Sequence, residues 1–370
     1  MNVGSLSYRA LCERLAGPGL RLATGPFVAN VRSPLPAVAE GIALLYGAYP
    51  LADPAGFADF HLNLRPSGGL RRWLRPQARF DLDGVAPFLP LPADHAFSLF
   101  EWALNWCVSS RAHDYLILHA AVVEKNGRAA ILPAPSGSGK STLCGALVSR
   151  GWCLLWDELA PESTPRAGLT PLPRPISLKN ASIGLIKGFA DDPVFSRPSV
   201  DTAKGTIAHL KAPLDSVQRA AETARPGWVI FPRYQPDAAP RMEALASTRA
   251  FLRVAENAFN YSLLGAQGFS SVARLVDAAP AYDFTYSALD DAVAAFDRLA
   301  GGGAGRACRS CLRCCADRSA SRASRRPTGT SCCARPWRPG WPSASTCWRA
   351  NTGCWTPCRR GRGPTWNGPP

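Results

Sequence analysis

Between Ala130 and Leu143 the chain reads Ala-Ile-Leu-Pro-Ala-Pro-Ser-Gly-Ser-Gly-Lys-Ser-Thr-Leu. The apolar run at Ala129 to Leu132 predicts a buried strand. A turn of small residues follows, and a helix is expected to begin near Lys140. Strand, glycine turn and Gly-Lys-Ser at a helix start form the phosphate-binding loop pattern. Glycines let successive backbone N–H groups point into one concavity, and the helix N-terminus adds roughly half a positive charge there. A polyphosphate is therefore expected on Ala134, Pro135, Ser136, Gly137, Ser138, Gly139, Lys140, Ser141 and Thr142. Ala134 stands where the pattern has its first glycine. Lys140 would reach the β- and γ-phosphates, and the Ser141 hydroxyl would ligate Mg²⁺.

The net charge of +15 over 370 residues suggests a nucleic-acid partner until its distribution is read. From Gly301 onward there are thirteen Arg, no Lys and one acidic residue, Asp317, so this segment carries +12 of the total. The remaining 300 residues are close to neutral, and nucleic acid is not the expected partner of the folded part. Nine of the thirteen cysteines also lie after residue 300. Cys12, Cys107, Cys144 and Cys153 sit among apolar neighbours and read as reduced core thiols. The first 22 residues hold scattered arginines and no continuous apolar core, so no signal peptide is expected. The longest apolar stretch, Ala96 to Val108, contains Glu101 and Asn105 and is too short to span a bilayer. A soluble, cytoplasmic protein without a membrane partner is the expectation; a homo-oligomer is left open.

Residues 1–112 are expected to form a mainly β accessory domain. Leu20 to Val31, Gly41 to Leu51, Phe57 to Arg65 and Gln77 to Leu82 are its strand candidates. His61 and His95 have no partner at metal-ligand spacing and read as surface histidines. Asp94 to Arg111 has helical periodicity, and Tyr115 to Val123, containing His119, reads as one strand. Residues 113–300 are expected to form the nucleotide-binding domain. After the helix from Lys140 to Arg150, Gly151 is a left-handed stop. Trp152 to Trp156 is a continuous apolar run of the kind buried in a parallel sheet. Asp157 and Glu158 then emerge at its carboxyl edge, the edge that also holds the phosphate loop.

Two carboxylates facing a triphosphate need a cation or a proton between them. One acid can hold Mg²⁺ and the other can accept the proton of an attacking hydroxyl. Arg174, Lys179 and Lys204 are candidates for phosphate or acceptor contacts. Farther on, Trp228 to Pro232 reads as a strand. Ser247 to Leu264 reads as a helix burying Phe251, Leu252, Ala255 and Phe259, and Ser270 to Asp277 as another. Tyr282, Phe284 and Tyr286 alternate with polar residues as a strand does, and Ser287 with Asp290 resembles a capping box.

Residues 301–370 contain no Val, Ile, Met, Phe or Tyr, and Leu312 is the one large aliphatic residue. Such a composition cannot offset backbone ordering, which costs about 1–2 kcal/mol per residue, so a disordered tail is expected. Its Arg, Cys, Trp, Pro and Gly content is what a GC-rich gene yields when translated out of frame. The alternatives are a cysteine metal site, though the tail lacks His, and a basic arm that stacks tryptophans on RNA.

With these residues in view, the chain resembles HPr kinase/phosphorylase and, more closely, the HprK-related kinases over about residues 115–300. The similarity lies in Leu118-His-Ala-Ala-Val122, the phosphate loop, Ser149-Arg-Gly-Trp152 and Trp156-Asp-Glu-Leu159, in that order. The resemblance implies a phosphoenolpyruvate-carboxykinase-like P-loop fold and transfer of the ATP γ-phosphate to a hydroxyl on a protein serine or a small molecule. It implies catalytic roles for His119, Lys140 and Glu158, with Mg²⁺ on Ser141 and Asp157. The family's metal-binding Glu falls on Ser177, so that ligand is lost or replaced, and the Arg-Pro-Gly-Arg-Asn run of true HPr kinases is absent. A regulatory ATPase or sensor that has no phosphoacceptor is the alternative reading.

Overall fold

The computed structural model describes residues 1–69, 74–157, 160–163 and 168–301. Glu158 and the 301–370 tail reading, apart from Gly301 itself, lie outside the described residues. The described chain is mixed α/β with four sheets around one continuous hydrophobic core.

The first sheet is built from β1 (Leu20–Thr24), β2 (Phe27–Arg32), β3 (Phe60–Pro66), β4 (Gln77–Leu82) and β5 (Leu91–Pro92), in that order. The expected single strand from Leu20 is a hairpin, because Gly25 at φ +53° turns the chain between β1 and β2. The expected strand at Gly41 to Leu51 is instead helical. Pro36 opens α2 (Pro36–Leu45), whose locked φ suits a first helical turn, and Val38, Ile42 and Leu45 line one buried face. Only a crossover of this kind lets β2 and β3 run parallel. With α1 (Tyr8–Ala16) and α3 (Ala96–Arg111), the first 112 residues are therefore mixed rather than mainly β. His95 is buried, 5% exposed, at the base of α3, while His61 is exposed as expected.

The run expected as one strand through His119 is two strands, β6 (Tyr115–Leu118) and β7 (Ala120–Lys125). Asn260 makes the break. Its side chain accepts from the Ile117 N–H at 2.8 Å and donates to the Tyr115 carbonyl at 2.7 Å, while the Asn257 carbonyl takes the His119 N–H at 2.6 Å. Strand β6 pairs with β10 (Ala160–Ser163), and β7 joins the central sheet.

That central sheet has the order β15-β16-β14-β8-β7-β9, with β8 (Arg128–Pro133), β9 (Cys153–Trp156), β14 (Arg225–Tyr234), β15 (Arg241–Leu245) and β16 (Ala281–Tyr286). Strands β8, β14 and β16 are parallel neighbours. Strand β9 is not beside β8, as a simple crossover would place it, because antiparallel β7 lies between them. Two antiparallel steps restore the direction, so β8 and β9 still end at one edge. The edge where β8, β9, β14 and β16 end is also the edge where β7 begins. Helix α4 (Lys140–Ser149) is buried almost all round, and Gly151 at φ +86° stops it.

A three-stranded sheet of β11 (Ile176–Lys179), β13 (Gly205–Leu210) and β12 (Ser199–Thr202) adjoins this edge. Helices α5 (Ala181–Phe189) and α6 (Leu214–Gln218) belong to this part of the chain. The helix expected from Ser247 to Leu264 is divided into α7 (Ser247–Glu256) and the short α8 (Tyr261–Leu264), followed by α9 (Ala266–Ala278). Helix α7 buries Ala250 and Val254, whereas Leu252 and Phe259 are 61% and 58% exposed, contrary to the periodicity reading. The last helix is α10 (Leu289–Gly301), and the Ser287 hydroxyl donates to the Ala238 carbonyl at 2.9 Å.

Arg174 is no ligand-facing cation. It is buried and paired with Glu101 of α3, and it also donates to the Glu101 carbonyl at 3.1 Å and to Asn105. The Tyr46 hydroxyl closes the group on the other Glu101 oxygen at 2.6 Å. The charge pair therefore fastens the first 112 residues to the chain just before β11. Cys107, Cys144 and Cys153 are buried and unbridged, and burial pushes the Cys107 thiol up to about 12.

Removing one partner of a buried pair strands the other charge. The variant Arg174→Met is expected to lose about 3–5 kcal/mol of stability, read by urea unfolding, while Glu101→Leu with Arg174→Met should recover most of it. A double variant no more stable than the single one would show that the pair's role is not the shielding of charge.

Candidate functional site

The topology alone brings the sequence-selected residues together. The phosphate loop leaves the end of β8, Asp157 leaves the end of β9, and His119 precedes the start of β7, all at one sheet edge. Tyr234 and Tyr286 end β14 and β16 at the same place. A cavity of about 870 Å³ opens there, lined by His119, by the loop from Pro135 to Thr142, and by Ser177, Lys179 and Lys204.

The loop has the backbone that its glycines foretold. Gly137 and Gly139 take φ values of +89° and +87°, left-handed conformations that strain residues with a Cβ. Gly139 is also a point of close approach. Its carbonyl accepts from the Tyr286 hydroxyl at 3.1 Å, and a Cβ there would lie 2.6 Å from that same oxygen. The Ser138 carbonyl accepts from the Tyr234 N–H at 3.1 Å, which fastens the loop to β14. Ala134 is 2% exposed beneath the loop, so the residue standing in for the first glycine packs into the core.

Lys140 opens α4 and is 5% exposed. The next residue holds the acid: the Ser141 hydroxyl donates to Asp157 Oδ1 at 3.0 Å, and the Ser177 N–H donates to Asp157 Oδ2 at 3.0 Å. Asp157 is thereby fixed at both oxygens, one from the phosphate-loop helix and one from β11. Thr142 turns to Ser182 of α5 at 2.7 Å. Ser138 and Ser177 each keep a buried hydroxyl without a hydrogen-bond partner among the described residues, and both line the cavity. Buried hydroxyls of this kind in a cavity wall are ready for a polar ligand.

Hard oxygen donors suit Mg²⁺, which commonly takes one or two protein oxygens and completes its shell from phosphate and water. The Ser141 hydroxyl, the Asp157 carboxylate and the Ser177 hydroxyl offer that donor set. Among the described residues no three His, Cys, Asp or Glu side chains gather as an all-protein metal cage.

His119 packs its ring edge-on against Phe259, with centroids 5.7 Å apart, and its carbonyl accepts from the Ala134 N–H at 3.4 Å. The Asn257-Ala-Phe-Asn260 segment is thus what positions His119. Periodicity had assigned it to a helix, and the signal for its real work was the pair of asparagines, which favour backbone capping over helix interiors.

Lys179 and Lys204 both line the cavity. Asn180 joins them. It sits at φ +50°, accepts from the Thr206 N–H at 3.0 Å and donates to the Lys204 carbonyl at 3.4 Å. The hairpin between β12 and β13 is thereby locked against the end of β11. Tyr234 and Tyr286 were not singled out from sequence as cavity residues. The available sign was that each ends a parallel strand, where open α/β sheets bind ligands.

No family model matches the chain, and no curated protein matches it. Among solved structures, that of the Hpr(Ser) kinase/phosphatase from Coxiella burnetii aligns with 50% of this chain and 99% of its own, at 12% identity and a TM-score of 0.22. A similarity of that size carries no inference about fold or activity. Among the described residues no helix is long and apolar enough to cross a membrane.

The loop geometry gives a direct expectation. Gly139→Ala places a methyl against Tyr286 in a backbone region alanine avoids, and should weaken ATP binding at least about tenfold, a change of about 1.4 kcal/mol. Calorimetry on the folded variant checks this; unchanged affinity would show that the loop amides do not hold the phosphates.

Proposed function

We propose that this protein is a P-loop phosphotransferase that uses ATP and Mg²⁺ and moves the γ-phosphoryl group to a hydroxyl. The observation that carries the reading is the Ser141–Asp157 hydrogen bond at 3.0 Å, which ties an acid outside the cavity lining to a first-turn side chain that lines it.

In this reading the amides from Gly137 to Ser141 and the start of α4 bind the polyphosphate. Lys140 neutralises charge that builds on the transferred group and its leaving oxygen. Ser141 and Asp157 would hold Mg²⁺, with Ser177 beside them; the bound cation offsets phosphate charge. Lys179 and Lys204 add positive potential at the cavity wall. Glu158, which follows Asp157 in the sequence, takes the acceptor proton. Its side chain is one methylene longer than the aspartate of the family the sequence resembles, a difference of roughly 1 Å that a fitted acceptor must accommodate. His119, held by Asn257 and Phe259, tunes or orients the carboxylates. The acceptor itself is a protein serine or a small-molecule alcohol.

Incubation with γ-labelled ATP and host lysate tests the reading. Wild type should label an acceptor, Lys140→Ala should abolish labelling, and Glu158→Gln should reduce it at least about 100-fold while leaving ATP affinity within a few-fold. Phosphate release with no labelled acceptor would instead identify a nucleotide-driven sensor, and full transfer by Glu158→Gln would remove Glu158 from the chemistry.

A further inference from the structure

The cavity extends beyond the Pro135–Thr142 loop. Past Thr142 it continues between two helices that flank α4. Helix α5 contributes Leu185, Gly188 and Phe189, and the start of α10 contributes Leu289 and Asp290. Leu185 is 55% exposed, an apolar side chain at the cavity mouth that a ligand would cover. A Cβ added to Gly188 would meet nothing within 4 Å, so that wall faces open space.

Behind the far end stands Arg150, outside the cavity lining. Arg150, directly after α4, lies over the Phe189 ring at 4.2 Å. Its guanidinium also stands 3.9 Å from Asp191, beyond the end of α5, and 3.8 Å from Asp290 on α10. Arg150 therefore stands between the ends of both walls, and the Asp290 side chain, 81% exposed, lies at the rim. An apolar slot with a carboxylate at its edge suits a flat aromatic ring that carries an amino group.

We propose that this end of the cavity is a nucleobase slot. It takes the purine ring of a nucleoside triphosphate between Leu185 and Leu289, with the exocyclic amino group donating to Asp290. The slot rests on the phosphate-end reading above and extends it from a polyphosphate site to a base-selective one.

Calorimetry on the full chain with Mg²⁺ tests this using ATP, purine riboside 5′-triphosphate and inorganic tripolyphosphate. ATP is expected to bind about 100-fold more tightly than tripolyphosphate and about tenfold more tightly than purine riboside triphosphate, which lacks the amino group. Asp290→Ala should erase the second difference. Gly188→Leu fills the slot with a better helix former, so its melting temperature should not fall, yet its ATP affinity should drop to within about threefold of tripolyphosphate. Equal affinity of wild type for ATP and tripolyphosphate, with Lys140→Ala weakening both, would overturn the slot and leave the phosphate site standing. If neither compound binds, or Lys140→Ala changes neither, the phosphate-end reading falls and the slot falls with it.

Discussion

An antiparallel strand inserted between two parallel ones governs this structure. Because β7 lies between β8 and β9, the strand carrying the phosphate loop and the strand carrying Asp157 are not neighbours, yet both end at the same edge. The arrangement spaces the loop and the acid by two strand separations, roughly 10 Å across the sheet. That gap is bridged from the helix side, where Ser141 in the first turn of α4 reaches Asp157. The same insertion brings His119 to the edge from the opposite direction, since it precedes the start of an antiparallel strand. One topological device thus assembles three residues that the sequence separates.

The support behind the site comes from parts of the chain that carry no chemistry themselves. Asp157 is held on its second oxygen by the Ser177 N–H, and the segment leading to Ser177 is anchored by buried Arg174 on Glu101 of α3. A buried ion pair is weak evidence for added stability, but removing one partner strands the other charge, so the two segments are held together as a pair. The Asn257 to Asn260 segment does the corresponding work for His119. Precise sites need such locked supporting residues, and here they lie on α3, on the chain before β11 and on the loop after α7.

How much of this was legible from residues alone varies with the kind of signal. The backbone of the Pro135–Thr142 turn was legible, because its glycines favour left-handed conformations and Gly137 and Gly139 adopt them. The shared edge of Asp157 and the loop was also legible, since an apolar strand after a short helix returns to that edge. Its neighbour was not: pairing with β7 depends on the break at His119, which Asn260 imposes from more than a hundred residues away. The second half of helix α2 reads as a strand because Gly41 to Leu45 is too short an apolar run to show a helical period, and Pro36 is the better guide. Arg174 looked like a phosphate ligand because a lone arginine gives no sign of the buried acid that will claim it. Glu158 rests on sequence alone, since it lies outside the described residues.

The central claim is that Asp157 and the phosphate loop face one bound anion through a shared cation. The most direct measurement is the ATP affinity of wild type and Asp157→Asn by calorimetry, with Mg²⁺ and with a chelator. Mg²⁺ is expected to tighten ATP binding to wild type at least about tenfold and to have little effect on Asp157→Asn. An equal Mg²⁺ effect in both proteins would contradict the claim and leave the acid without a part in nucleotide binding.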